Sequence, residues 1–390
     1  MKYYIIAGEA SGDLHGANLI GGLLQADPEA EIRFWGGDKM AEAAGEHGTL
    51  VRHYKEASIM GFWEVVKNLR RIGRQMRFCR EDIAASRPDA LILIDYPGFN
   101  LRMAEFARTH RWPAGVKRPE VFYYIAPKVW AWKEKRVVRI RKFVDRLFII
   151  FPFEVEYFRR HGIEAFYAGN PLMDAVAGRG AVAEESAEAF RRENGLDRRP
   201  MVALVAGSRR SEIRYNLPCM VAVARCFPEY QFVVTGVSWL DKALYDKYLS
   251  GSDVRFVCDQ TYRTLLFSEA ALVTSGTATL ETALLNVPEV VCFRSSAISI
   301  WVAKRLVKLR FISLVNLILN REAVRELIQE EFTPEQATEE LRAVLPGGAK
   351  HERMMRDFDA LRVAMGAPGA SVRVAEEMVR LLNEKGGAKA

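Results

Sequence analysis

The chain alternates short runs of β-branched and aromatic residues with amphipathic stretches, and most runs lead into glycine, serine, proline or aspartate. KYYIIAG, EIRFWGG, ALILIDYPG, VFYYIAP, RLFIIFP and EAFYAGNP lie in the first half. MVALVAGSR, QFVVTGV, VRFVCD, AALVTSG and EVVCFR lie in the second. Runs this short and continuously apolar read as strands covered on both faces, and helical segments between them impose parallel βαβ crossovers. The expected class is therefore α/β. At 390 residues the chain exceeds what one core serves, so two domains are expected. A break falls in GNPLMDAVAGRG, residues 169–180, which separates a first domain, 1–170, from a second, 171–345. Each opens with a strand, a Gly/Ser turn carrying a carboxylate, and a helix; the turns are GEASGD and GSRRSE. Two such Rossmann-like domains facing one another would place a ligand cleft at the carboxyl ends of their strands. Residues 346–390 read as C-terminal closing helices that pack back on the first domain or on a partner chain, the latter giving a homodimer.

Lysine and arginine outnumber aspartate and glutamate by 56 to 49, a net charge of +7 that favours anionic partners. Nucleic acid is disfavoured, because no helix-turn-helix, RRM or zinc-finger pattern accompanies the charge. Five cysteines without a CxxC pair read as reduced thiols of a cytoplasmic protein. The amino-terminal apolar run is too short and too soon followed by Glu9 and Asp13 for a signal peptide, and no 18-residue apolar stretch exists. Cytoplasmic localisation with at most peripheral membrane contact is expected. No metal or other cofactor is expected: there is no HExxH, no Cys/His cluster, and the lone DxD, Asp357-Phe358-Asp359, falls in a helical pattern.

In AGEASGDLHG the glycines stand at 8, 12 and 16, so neither the dinucleotide fingerprint nor a Walker A loop is present. What remains is a strand-to-helix turn suited to an anion or a hydroxyl-rich ligand, or merely capped by Ser11 or Asp13. Asp95 of LILIDYPGFN ends a buried strand, where open α/β sheets bind ligands and partial burial raises basicity. It is the leading general base, with helix capping the alternative and Glu9, Asp13 and His15 as competitors. Gly207, Ser208 and Arg209 of GSRRSEI offer turn N–H groups and a guanidinium to a pyrophosphate. In SGTATLE, Ser275, Gly276 and Thr277 can approach a phosphate while Glu281 takes a ribose diol; the same pattern also reads as a capping box. Basic stretches at 65–80, 127–142 and 301–310 carry apolar residues at helical spacing, as core-packed or interfacial helices do.

Together AGEASGD, MGFWEV, IDYPGFN, PKVWAWKEKRV, PFE, AGNPLMDA, GSRRSEI, SGTATLE, AKRLVK and SLVNLI, in this order from residue 7 to 318, resemble the lipid-A-disaccharide synthase family of GT-B glycosyltransferases. The resemblance implies transfer from UDP-2,3-diacylglucosamine to 2,3-diacylglucosamine 1-phosphate, forming a β-1,6-linked disaccharide 1-phosphate and UDP without a metal. It implies Asp95 as the essential aspartate, assisted by Glu9 or Asp13. Gly207, Ser208, Arg209, Ser275, Gly276, Thr277, Glu281 and Asn316 would bind UDP, and Ser11, Asn100 and Asn170 the sugars. The acylated substrates imply an anionic inner-membrane surface as partner, met by Phe62, Trp63, Val66, Leu69, Arg70 and Arg71. The family often has proline where Ala206 and Val315 stand; both changes relax a loop without removing a reacting group. Alternative readings are a UDP-N-acetylglucosamine epimerase or another GT-B transferase, and a non-catalytic nucleotide-sugar-binding membrane adaptor.

Overall fold

The computed structural model describes residues 1–57, 69–130, 135–177, 187–296 and 310–387. These fall into two units, residues 1–171 with 367–390, and residues 172–366. Phe62, Trp63 and Val66 lie outside the described residues, as do most of the 301–310 stretch and the side chain of Leu69.

Among the described residues the first unit is built on seven parallel strands: β1 (Lys2–Ala7), β2 (Glu31–Gly36), β3 (Gly48–His53), β4 (Ala90–Ile94), β5 (Glu120–Tyr124), β6 (Arg146–Ile149) and β7 (Ala165–Tyr167). Their order is β3-β2-β1-β4-β5-β6-β7, so the winding reverses between β1 and β4. Alternate residues feed two core layers. Tyr4, Ile6, Leu91, Leu93, Val121 and Tyr123 enter one, and Tyr3, Ile5, Ala90, Ile92, Phe122 and Tyr124 the other. A strand buried on both faces needs apolar residues at every position, which is why its sequence reads as an unbroken run.

The last helix, Ala370–Gly387, returns to this unit, where Val374, Ala375 and Met378 share a core layer with Leu19, Ile20 and Leu23 of the helix Ala10–Ala26. The two helices approach so closely that a Cβ at Gly22 would stand 2.9 Å from that of Ala375. Lys385 clamps Glu120 at 2.6 Å, and Arg373 donates to the carbonyls of Ala168, Ala367 and Pro368.

Among the described residues the second unit has six parallel strands: β8 (Met201–Val205), β9 (Gln231–Gly236), β10 (Arg255–Cys258), β11 (Ser268–Thr274), β12 (Glu289–Phe293) and β13 (Glu326–Ile328). The order β10-β9-β8-β11-β12-β13 reverses between β8 and β11. The helices Pro334–Val344 and His351–Met365 stay with this unit, and the chain leaves it at Gly366. On that second helix Asp357 pairs with Arg321, which precedes β13, and Asp359 with Arg362. Among the described residues no helix is long and apolar enough to cross a membrane.

Candidate functional site

In the first unit the reversal point brings the end of β1 beside the end of β4, with Ala7 opposite Ile94. Asp95 and Tyr96 follow β4 directly, and both are left-handed, with φ of 42° and 44°. Two successive non-glycine residues in this region carry strain of order 1–3 kcal/mol each, which the surroundings must hold in place. Here the Asp95 N–H donates to Tyr124 O at 3.1 Å, while its carbonyl accepts from the Tyr123 hydroxyl at 2.5 Å and from Asn100 Nδ2 at 2.8 Å. The ring of Tyr96 lies where any Cβ on Gly8 would stand, 2.3 Å away, so the opening turn requires glycine there.

The helix Pro97–Thr109 starts without a side-chain cap, which leaves the Asp95 carboxyl for other work. That carboxyl is pushed up from 3.8 to about 6, first by burial and then by the charge of Glu9; Lys128, the Tyr96 N–H and Arg136 oppose the shift. Lys128 and Arg136 belong to the stretch whose cations suggested only a basic helix. Their chemistry lies in where β5 delivers them. Glu154, also unanticipated, is fully buried and pushed up to about 7 by burial. It accepts from Trp130 Nε1 at 2.9 Å and from the N–H groups of Phe151 and Ile150.

Four residues expected at a ligand make hydrogen bonds within the protein. Asp13 is 3 % exposed, and its carboxylate accepts from the N–H groups of Gly37 (2.6 Å), Lys39 and Met40 (both 3.2 Å), so it caps the helix Asp38–Ala44 rather than its own. Asn100 is wholly buried and donates to the carbonyls of Ile6, Ile94 and Asp95, tying the two strand ends together. Asn170 is buried and donates to Ile150 O at 2.8 Å. Asn316, assigned to UDP, has every hydrogen-bonding position spent: Nδ2 on Val324 O and Glu326 Oε1, Oδ1 on the N–H groups of Ala323 and Val324. Ser11 is exposed on the first helical turn, Glu9 precedes it, and His15 is half-buried in the second turn.

In the second unit Gly207 turns the chain at φ 110°, and Arg209 precedes the helix Arg210–Ala224. The turn already holds an anion of its own. Glu212 accepts from the N–H groups of Ser208 (2.9 Å) and Arg209 (3.2 Å) through one oxygen and from the Arg209 guanidinium (2.8 Å) through the other. After β11, Ser275 donates its hydroxyl to Ile312 O, and Gly276 and Thr277 open the helix Thr277–Leu284 with no side-chain cap. The capping-box alternative is thus not formed. Glu281, one turn in, accepts from the Tyr262 hydroxyl at 2.8 Å. In the basic helix Leu69–Ser86, Arg70, Arg71, Arg74 and Arg77 are exposed beside a Phe78 that is itself 40 % exposed. Among the described residues no group of three or more His, Cys, Asp or Glu is placed to hold a metal ion.

Two doubly wound parallel units, each with its turns gathered at the reversal of strand order, define a protein of the GT-B fold class. Solved structures agree: the UDP-GlcNAc 2-epimerase from Neisseria meningitidis bound to UDP-GlcNAc superposes with a TM-score of 0.64 at 11 % identity, over 97 % of this chain and 100 % of that one. The enzyme from Methanocaldococcus jannaschii in complex with UDP-GlcNAc and UDP gives 0.60 at 15 % identity, over 98 % and 100 %. At such identities the likeness is one of fold. The sequence is more particular. Residues 3–367 match the model of the lipid-A-disaccharide synthetase family. The lipid-A-disaccharide synthase of Myxococcus xanthus is 37 % identical over 98 % of this chain and 97 % of its own, and that of Geobacter sulfurreducens is 37 % identical over 98 % of each. The chain belongs to the lipid-A-disaccharide synthetase family.

Proposed function

We propose that the protein condenses UDP-2,3-diacylglucosamine with 2,3-diacylglucosamine 1-phosphate, giving the β-1,6-linked lipid A disaccharide 1-phosphate and UDP. The observation that carries this reading is the family match along residues 3–367, sustained at 37 % identity over nearly the whole chain. Epimerase and adaptor readings have only the fold in their favour.

Asp95 takes the proton of the acceptor 6-hydroxyl as that oxygen attacks the donor's anomeric carbon from the face opposite the diphosphate. The C1–O bond breaks, UDP departs with the bonding pair, and the α-linked donor becomes a β-linked product. A raised carboxyl pKa strengthens the base, and the neighbouring Glu9 charge contributes to that. Arg209 and the N–H groups of the 207–209 turn offset the charge that builds on the leaving diphosphate, Gly276 and Thr277 approach its phosphates, and Glu281 takes the ribose hydroxyls. In this reading the first unit serves the acceptor and the second holds UDP. Both substrates carry acyl chains, so the enzyme works peripherally at the anionic cytoplasmic face of the inner membrane, with the exposed arginines of Leu69–Ser86 turned to the bilayer.

The test is to incubate the folded protein with both acylated substrates in anionic vesicles, with and without chelator. UDP and disaccharide are expected in both cases, and their absence overturns the assignment. Glu212 supplies a sharper prediction. A diphosphate on the 207–209 turn must compete with its carboxylate, and a unit charge about 4 Å away in water is worth about 1 kcal/mol, so Glu212→Gln should bind UDP roughly fivefold more tightly. Calorimetry decides it, and weaker binding would show that the carboxylate supports the turn for UDP instead of competing with it.

A further inference from the structure

Trp239 is exposed over 69 % of its surface, yet nothing about its setting is loose. It sits in the loop after β9, the strand beside β8, and that loop is held at several points. The Ser238 N–H donates to Asp259 Oδ1 at 3.0 Å, Leu240 N closes a turn on Val237 O at 3.1 Å, and Asp241 caps the helix Lys242–Leu249 through the Ala243 N–H. The indole is fixed as well: Nε1 donates to Ser208 O at 3.2 Å, inside the turn that carries the anion donors. The ring's single polar atom is thus turned inward, and what faces solvent is hydrocarbon. A large apolar ring, orientated by its one polar atom and left in water beside the 207–209 turn, forgoes burial that the fold does not supply and that an apolar ligand group on that turn would provide.

We infer that Trp239 receives an acyl chain of the donor sugar. The inference rests on the proposed UDP-sugar reading of the same turn. In that donor the 2-acyl chain springs from the carbon next to the anomeric carbon, which bears the diphosphate. A diphosphate held by residues 207–209 therefore roots the chain within one sugar ring of Ser208, to which the indole is tied. The ring gives the first methylenes an apolar wall, and the enzyme gains a means of preferring an acylated donor to plain UDP-N-acetylglucosamine on its nucleotide side.

The experiment compares the wild type with Trp239→Ser and Trp239→Phe, using detergent-dispersed donor. For Trp239→Ser the KM for the acylated donor should rise about tenfold, as expected for loss of one apolar side-chain contact, while UDP affinity stays within about twofold. Trp239→Phe should fall between. In parallel, the acylated donor should shield part of the tryptophan fluorescence from acrylamide, UDP alone should not, and Trp239→Phe should lose that component. Unchanged KM and unchanged shielding in a wild type that turns over overturn the inference and leave the reaction standing. A wild type that makes no disaccharide overturns the reaction, and the shielding then still reads whether the chain reaches Trp239. If Trp239→Ser instead loses binding to anionic vesicles with its donor KM intact, the ring meets the bilayer and the inference is wrong.

Discussion

Replacing Asp95 with asparagine should lower kcat about 10³-fold while leaving UDP binding intact, since a positioned general base contributes about 10²–10⁴-fold. The substitution keeps the shape of the side chain and removes only its capacity to take a proton. The same carboxyl shapes the pH profile. With its pKa raised to about 6 by burial and by Glu9, the base form is lost as pH falls below that value, so kcat/KM should drop about tenfold per unit on the acid side and lie flat above it. The effect on stability has the opposite sense. The folded carboxyl keeps its proton up to about pH 6, whereas an unfolded one releases it near 3.8. Raising pH through that window therefore favours the unfolded chain, and at pH 7 the native state bears a cost of about 2 kcal/mol after allowing for partial exposure. Asp95→Asn should thus melt higher than the wild type at pH 7 and no higher at pH 4. Full turnover in the variant would remove Asp95 from the chemistry, whatever its effect on melting.

Asn316→Ala is expected to act on the fold and not on the ligand. The change strips the Val324 N–H and carbonyl of their Asn316 partners, and takes one of two partners from the Ala323 N–H and from Glu326 Oε1, which keep Arg321 O and the Ser313 N–H, all in a site where Asn316 is wholly buried. Each buried polar group left unpaired costs about 1–3 kcal/mol, less where water enters, so a loss of about 4 kcal/mol in the second unit's unfolding transition is expected. UDP affinity of the protein that remains folded should be unaltered. Weakened UDP binding at unchanged stability would restore Asn316 to the nucleotide site and contradict the bonding described above. Asn316→Asp should be nearly as damaging, because its second oxygen would meet Glu326 Oε1, where the amide now donates at 2.9 Å.

How much of this was open to reading depended on what each residue does with its surroundings. Strands such as ALILI and MVALV announce themselves because both faces are covered and every position must be apolar. The two that escaped notice, β3 and β13, lie at sheet edges: β3 is partly exposed throughout, and β13 has three residues, too few for a period. At the site, Asp95 was legible as the first polar residue after a buried run. The hydrogen bonds that Asn100, Asn170, Asn316 and Asp13 make within the protein were not legible, for one reason. A polar residue inside a motif looks the same whether it faces a ligand or a neighbouring backbone, and the partners that decide, such as Ile6 for Asn100 or Gly37 for Asp13, are distant in sequence. Lys128 and Arg136 hid among other cations, because charge counted along a chain does not tell which members converge on one carboxyl.

The return of Ala370–Gly387 to the first unit sets a timetable for biosynthesis. A ribosome releases residues 1–171 well before the covering helix, so the layer holding Leu19, Ile20 and Leu23 lacks Val374, Ala375 and Met378 until residues 172–366 have been made. Residues 172–366, by contrast, are contiguous and have all their own helices in hand before synthesis ends. The nascent chain therefore completes its second unit first, and the unit bearing Asp95 closes its core afterwards. A chain stopped after Gly366 carries a finished second unit and leaves an apolar face uncovered on the unit that bears Asp95.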